Sequence, residues 1–108
     1  MMQNRYLLPT KWVSRPLRVA VLGCGGTGYY ISTQLLMLER ALVGLSGQGF
    51  ERIDLFDAKA VAAPNLARTG FVSYEVGFNK AEILANRLNT ALDYSLFCAE
   101  PHNATKDH

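Results

Sequence analysis

Four glycines, Gly23, Gly25, Gly26 and Gly28, follow directly on the apolar run Val19–Leu22, and a helical pattern begins at about Thr27. Glycine lets the backbone turn tightly with φ > 0 and lets a ligand approach without Cβ atoms in the way. The first turn of the following helix offers unpaired N–H groups and a partial positive charge. A strand, a glycine turn and a helix in this order form a cradle for an anion, with phosphate as its usual guest. The string G-C-G-G-T-G alone is also compatible with a turn that merely packs helix on strand.

Further polar residues recur where such a cradle would need them. Asp54 and Asp57 bracket the end of a second strand, where an acid in a dinucleotide-binding fold accepts hydrogen bonds from ribose hydroxyls. Asp57, at the exit, lies nearer the ligand edge; otherwise it caps the next turn. Asn65 and Arg68 are three apart and project from one face of a helical turn. Lys80 opens a later helix, where the dipole disfavours a cation by roughly 0.3–1 kcal/mol. A bound polyphosphate would compensate, and the bland alternative is a solvated lysine with its stem along the surface. Cys24 and Cys98 are the only cysteines, too few for a disulfide framework or a four-thiolate zinc site. Both read as small packing residues, Cys98 in an apolar core run, and His102 and His108 sit in a polar tail.

The elements that must position these residues follow from the apolar spacing. Residues 1–16 have no convincing period and read as an arm. The first strand, about Arg18–Leu22, is a continuous apolar run suited to burial on both faces. A helix from about Thr27 to Val43 carries the stripe Ile31, Leu35, Leu38 and Leu42, and Gly44–Gly49 forms a loop. A second strand spans about Arg52–Phe56, and a short helical turn starts near Asn65. Asn79, three before Glu82, reads as the N-cap of a helix to about Ala91 with Ala81, Leu84, Leu88 and Leu92 on one face. A third strand covers about Tyr94–Ala99, and 101–108 is a polar tail. The order β-α-β-α-β predicts a Rossmann-like α/β fold, a parallel sheet with flanking helices, in a domain over 17–100.

With 108 residues the chain makes one modest domain, and 49% hydrophobic with 19% charged residues describes an ordinary globular composition. A net charge of +2 is too small to point to nucleic acid or an acidic membrane surface. No apolar run approaches the ~20 residues of a membrane span, and the start lacks a signal-peptide core, so the expected location is cytoplasmic.

Three motifs in the same order, G-C-G-G-T-G, then D-L-F-D…V-x-x-P-N-L-A-R, then V-G-x-x-K, resemble the ThiF/MoeB and ubiquitin-activating-enzyme adenylation domain. The surroundings, including Leu7-Leu8-Pro9 and Asn86-Arg87-Leu88-Asn89, look closest to the ThiF-like protein of the PRTRC system. The resemblance covers about residues 6–100 and implies the N-terminal half of that domain. It implies ATP as cofactor, with Gly23, Gly25, Gly26 and Gly28 beside the phosphates, Asp57 on the ribose, and Asn65, Arg68 and Lys80 on the phosphates. Arg68 and Lys80 would also act in catalysis, neutralising charge while AMP is transferred to the C-terminal carboxylate of a ubiquitin-like or sulfur-carrier protein.

The chain departs from the family at Lys59, where an acid is usual, and at Thr69, where a glutamine is usual. It also stops short of the family's fourth strand, which bears the Mg²⁺-binding aspartate, so no residue here is expected to hold the metal. A first strand with an open edge predicts self-association as a homodimer. The expected chain is therefore the ATP-binding part of an adenylyltransferase, incomplete by itself. A dinucleotide module for NAD(P), or a non-catalytic interaction protein of the same fold, are the competing readings.

Overall fold

The computed structural model describes residues 16–62 and 70–103. Its elements are β1 (Arg18–Leu22), α1 (Gly26–Ser46), β2 (Arg52–Phe56), α2 (Lys80–Leu92) and β3 (Phe97–Glu100), with one turn of 3₁₀ helix at Ser73–Glu75. The strands form a parallel sheet in the order β1-β2-β3, with Val19 opposite Ile53 and Ile53 opposite Phe97. This is the expected Rossmann-like α/β architecture. Both crossovers step the same way along the sheet, so right-handed connections put both helices on one face. There Val21, Ile53, Leu55 and Phe97 meet Leu36 of α1 and Leu84 and Leu88 of α2. The turn expected near Asn65, residues 1–15 of the arm and 104–108 of the tail lie outside the described residues.

α2 forms as its sequence dictates. Asn79 Oδ1 accepts from the Glu82 N–H at 3.0 Å, and Ala81, Leu84, Leu88 and Leu92 are all buried. Each such leucine contributes about 1.5–3 kcal/mol of apolar burial. The helix ends where Asp93 takes the left-handed conformation at φ 69°. β3 starts at Phe97, later than the expected Tyr94, because Asn89 Oδ1 accepts from the N–H groups of both Leu96 and Phe97.

α1 differs from expectation in length and in rotation. It continues through Gly44 to Ser46, and Gly47 closes it at φ 79° with its N–H on the Val43 carbonyl. The expected stripe is split: Leu35 packs against the core and Leu42 is half-buried, while Ile31 and Leu38 are exposed. The inward face is instead Ser32, Leu36 and Glu39. Its polar members have partners inside: Ser32 Oγ donates to the Gly28 carbonyl, and Glu39 accepts from the Phe50 N–H and the Tyr94 hydroxyl. That leaves Tyr30, Met37 and Leu45 on the outer side, all exposed.

β1 is not buried on both faces. Val21 is buried, while Ala20 and Leu22 on the other face are exposed, Leu22 at 70%. That second face carries a chain of ion pairs: Arg18 to Asp54 at 3.5 Å, Arg52 to Asp54 at 2.6 Å and Arg52 to Glu100 at 3.3 Å. Cys98, opposite Asp54 in the register, belongs to this half-buried face rather than to the core.

Candidate functional site

The glycine turn is shaped by three backbone facts. Gly23 sits at φ 101°, a region open to glycine, and its N–H donates to the Phe56 carbonyl at 2.7 Å. Gly28 has no room for a side chain, because a Cβ there would overlap the Gly23 carbonyl. Space above Gly26 is open. α1 then starts from Gly25 with no side-chain cap and no acidic residue in its first turn. Its leading N–H groups and the positive end of its dipole therefore lack a capping side chain.

Asp57 fixes this turn from the exit of β2. Its Oδ2 accepts from the Cys24 N–H at 2.7 Å and its Oδ1 from the Lys59 N–H at 2.8 Å, in a residue only 6% exposed. The carboxylate expected on a ribose is thus engaged by the loop itself. Asp54, the other acid near this strand end, is paired with Arg18 and Arg52 on the opposite sheet face.

Lys80 supplies the cation. It is 7% exposed, and its Nζ lies 3.9 Å from the position a Gly25 Cβ would take. Its ammonium has no carboxylate partner among the described residues. Backbone bonds hold it there: Lys80 N–H donates to the Lys59 carbonyl at 3.0 Å, and Asn79 Nδ2 donates to the Asp57 carbonyl at 2.7 Å. The second bond of Asn79 joins the start of α2 to the exit of β2, a role its capping pattern does not announce. Between Asp57 and Lys80 sits Cys24, fully buried; burial and then Asp57 push its thiol up to about 12, against the opposing pull of Lys80. The thiol stays protonated and packs; it is no nucleophile.

The structure thus gathers Gly23, Gly25, Gly26, Gly28, Asp57 and Lys80 at one sheet edge, while Asn65 and Arg68 lie outside the described residues. Sequence reasoning missed Arg87, which donates to Tyr29 Oη and to the Gly70 carbonyl at 2.7 Å and pairs with the buried Glu75. Nothing local marks this arginine, since its partners lie up to 58 residues away. It borders an open cavity of about 440 Å³ with Tyr74, Phe78 and Ile83, lined by none of the glycine-turn residues. No group of three or more His, Cys, Asp or Glu that could hold a metal ion occurs among the described residues. No helix among them is long and apolar enough to cross a membrane.

Comparison with solved structures gives the relatives of this arrangement. The chain matches E. coli MccB with ATP at 27% identity and a TM-score of 0.65, over 81% of this chain and 24% of that one. MccB with AMPCPP and MccA matches at 26% and 0.66, over 83% and 24%. The E. coli tRNA N6-threonylcarbamoyladenosine dehydratase TcdA matches at 25% and 0.61, over 84% and 34%. This is a ThiF-like fold. The chain spans about a quarter of the length of the MccB structures. No protein-family model and no curated protein matches the sequence.

Proposed function

We propose that this chain is the ATP-binding part of a ThiF-like adenylyltransferase that activates the C-terminal carboxylate of a ubiquitin-like or sulfur-carrier protein. The observation that carries the reading is Lys80, whose Nζ lies 3.9 Å from the position of a Gly25 Cβ with no carboxylate partner among the described residues, beside the glycine turn and the open start of α1. A polyphosphate is the anion that a helix N-terminus and a lysine together accommodate. The likeness to MccB, solved with ATP and with AMPCPP plus MccA, supports the nucleotide and a protein or peptide as acceptor.

In the reaction a carboxylate oxygen of the acceptor attacks the α-phosphorus. The bond from that phosphorus to the β-bridging oxygen breaks, and pyrophosphate leaves with the electron pair. The N–H groups at the start of α1 and Lys80 hold the phosphates, and the family resemblance gives Arg68 and Asn65 the same role. Asp57 serves the nucleotide through the loop it fixes. Mg²⁺ would add charge neutralisation, from ligands beyond the described residues. Within this reading the sequence surroundings favour the ThiF-like protein of the PRTRC system, and an ATP-dependent reaction belongs in the cytoplasm. The exposed Tyr30, Met37 and Leu45 of α1 and the outer edge of β1 favour self-association as a homodimer.

A thermal-shift comparison tests the proposal. Mg·ATP should raise the melting temperature and NADH should not, and Arg68→Ala should weaken the ATP effect. Stabilisation by NADH with none by Mg·ATP would make the chain a dinucleotide module instead.

A further inference from the structure

Two devices of different reach tie the start of α2 to the exit of β2. The first is backbone pairing: Lys80 N–H donates to the Lys59 carbonyl at 3.0 Å, Val61 N–H donates to the Phe78 carbonyl at 2.8 Å, and Ala60 forms an antiparallel bridge with Asn79. This ribbon engages residues 59–61, of which Lys59 and Ala60 are exposed beyond the end of β2. The second device is the Asn79 side chain. Its Nδ2 donates to the Asp57 carbonyl at 2.7 Å and to the Lys59 carbonyl at 3.4 Å, so it reaches past the ribbon to the strand exit itself. Asp57 is the residue whose carboxylate accepts from the Cys24 N–H inside the glycine turn. One side-chain bond therefore joins the residue before Lys80 to the residue that holds the turn.

The residue type matters at both ends of that side chain. A helix N-cap needs an acceptor, which serine, threonine, aspartate and asparagine all supply. Of these, asparagine alone adds an N–H donor on a second arm. Oδ1 takes the Glu82 N–H at 3.0 Å while Nδ2 faces two carbonyls, and the reverse orientation would set oxygen against carbonyl and nitrogen against N–H. Asn79 is half-buried and Asp57 buried, so the bond between them is partly shielded from water. Capping accounts for the Glu82 bond and leaves the bond to Asp57 without a purpose.

We infer that Asn79 is a positioning residue for nucleotide binding: its amide sets the backbone of Lys80 against the glycine turn, and it acts on the phosphates through that lysine. The Lys80 Nζ already lies 3.9 Å from the position of a Gly25 Cβ. The inference rests on the nucleotide reading above and deepens it. With the lysine's backbone fixed to the strand exit, less freedom remains to be lost when an anion binds.

The test is a double-mutant cycle on the whole chain, with Asn79→Ser and Lys80→Met made singly and together and Mg·ATP affinity read by titration calorimetry. Serine keeps the cap acceptor and lacks the second arm, so the variant should fold as the parent does, which circular dichroism checks. Asn79→Ser should weaken ATP by about three- to tenfold in the parent chain, and by less than about twofold in Lys80→Met. Ionic strength supplies a second reading on Asn79→Ser alone. An ammonium set away from the phosphates contributes less screened attraction, so ATP affinity should fall less with added salt than in the parent. A purely structural role would lower the melting temperature of Asn79→Ser and leave its ATP affinity and salt dependence at the parent values, and that result overturns the inference. So does a loss of affinity that persists undiminished in Lys80→Met. Either outcome leaves the nucleotide reading intact, whereas a parent chain that does not bind Mg·ATP ends both.

Discussion

Replacing Lys80 by methionine should make the ligand-free protein more stable and the nucleotide complex weaker, two effects of opposite sign from one side chain. In the free protein the Lys80 residue is buried, and its ammonium has no carboxylate partner among the described residues and opens α2, where the dipole opposes it. The dipole term is about 0.3–1 kcal/mol, and an apolar side chain of similar length removes it while keeping the packing of the stem. A gain of about 1 kcal/mol corresponds to a rise in melting temperature of about 4 °C for a chain of this size. With ATP at about a hundred times its dissociation constant, the parent chain gains about 2.7 kcal/mol, or about 10 °C. Loss of a charge-assisted phosphate bond of about 1.5–3 kcal/mol lowers affinity by roughly 10- to 150-fold. At the same ATP concentration a hundredfold loss leaves about 0.4 kcal/mol, a shift of about 2 °C. Scanning calorimetry of both proteins with and without Mg·ATP reads all four values. An undiminished ATP shift in Lys80→Met would refute the phosphate role, and a fall in ligand-free stability would show that Lys80 already has a partner.

Gly28→Ala should lower stability by about 3 kcal/mol or displace the turn, since its Cβ would overlap the Gly23 carbonyl, which the backbone cannot relieve by a rotamer change; urea unfolding measures this. Asp57→Asn keeps one acceptor oxygen for two backbone donors, so denaturation should show a loss of about 1.5–3 kcal/mol, and hydrogen exchange at the Cys24 amide should quicken. Tyr94 donates to Glu39, and that bond, with burial and the carboxylate's charge, raises its pKa from 10 to about 12. A folded-state value above the unfolded one stabilises fully below about pH 10 and is lost as pH rises toward 12, so the parent chain should lose stability over that window and Tyr94→Phe should lose less.

The architecture was legible because its signals are local. α2 is amphipathic with a capping asparagine, and its buried face is the one its leucine spacing marks. The strands and their order follow from short apolar runs between helical periods. α1 was harder to read because Glu39 and Arg40 are its only charged residues, so apolar spacing alone could not say which side faces in. The deciding contacts are remote: Glu39 goes inward for the Phe50 amide 11 residues away and the Tyr94 hydroxyl 55 residues away. Asp57 was expected beside the glycine turn, but its bond to the loop was not legible, because its partner Cys24 lies 33 residues earlier. Lys80 was legible as a position and not as a burial state, because its burial depends on how α2 packs beside the glycine turn.

Three hydrogen-bonded steps connect the glycine turn to Lys80. The Cys24 amide binds Asp57, the Asp57 carbonyl binds Asn79, and Asn79 caps the helix that Lys80 opens, while the Lys59 carbonyl holds the Lys80 amide directly. Each link is a short bond with a backbone partner, so the separation of the Lys80 backbone and the turn is set before any ligand arrives. A site fixed in this way avoids ordering its donors on binding, which is where preorganised electrostatics gain over water.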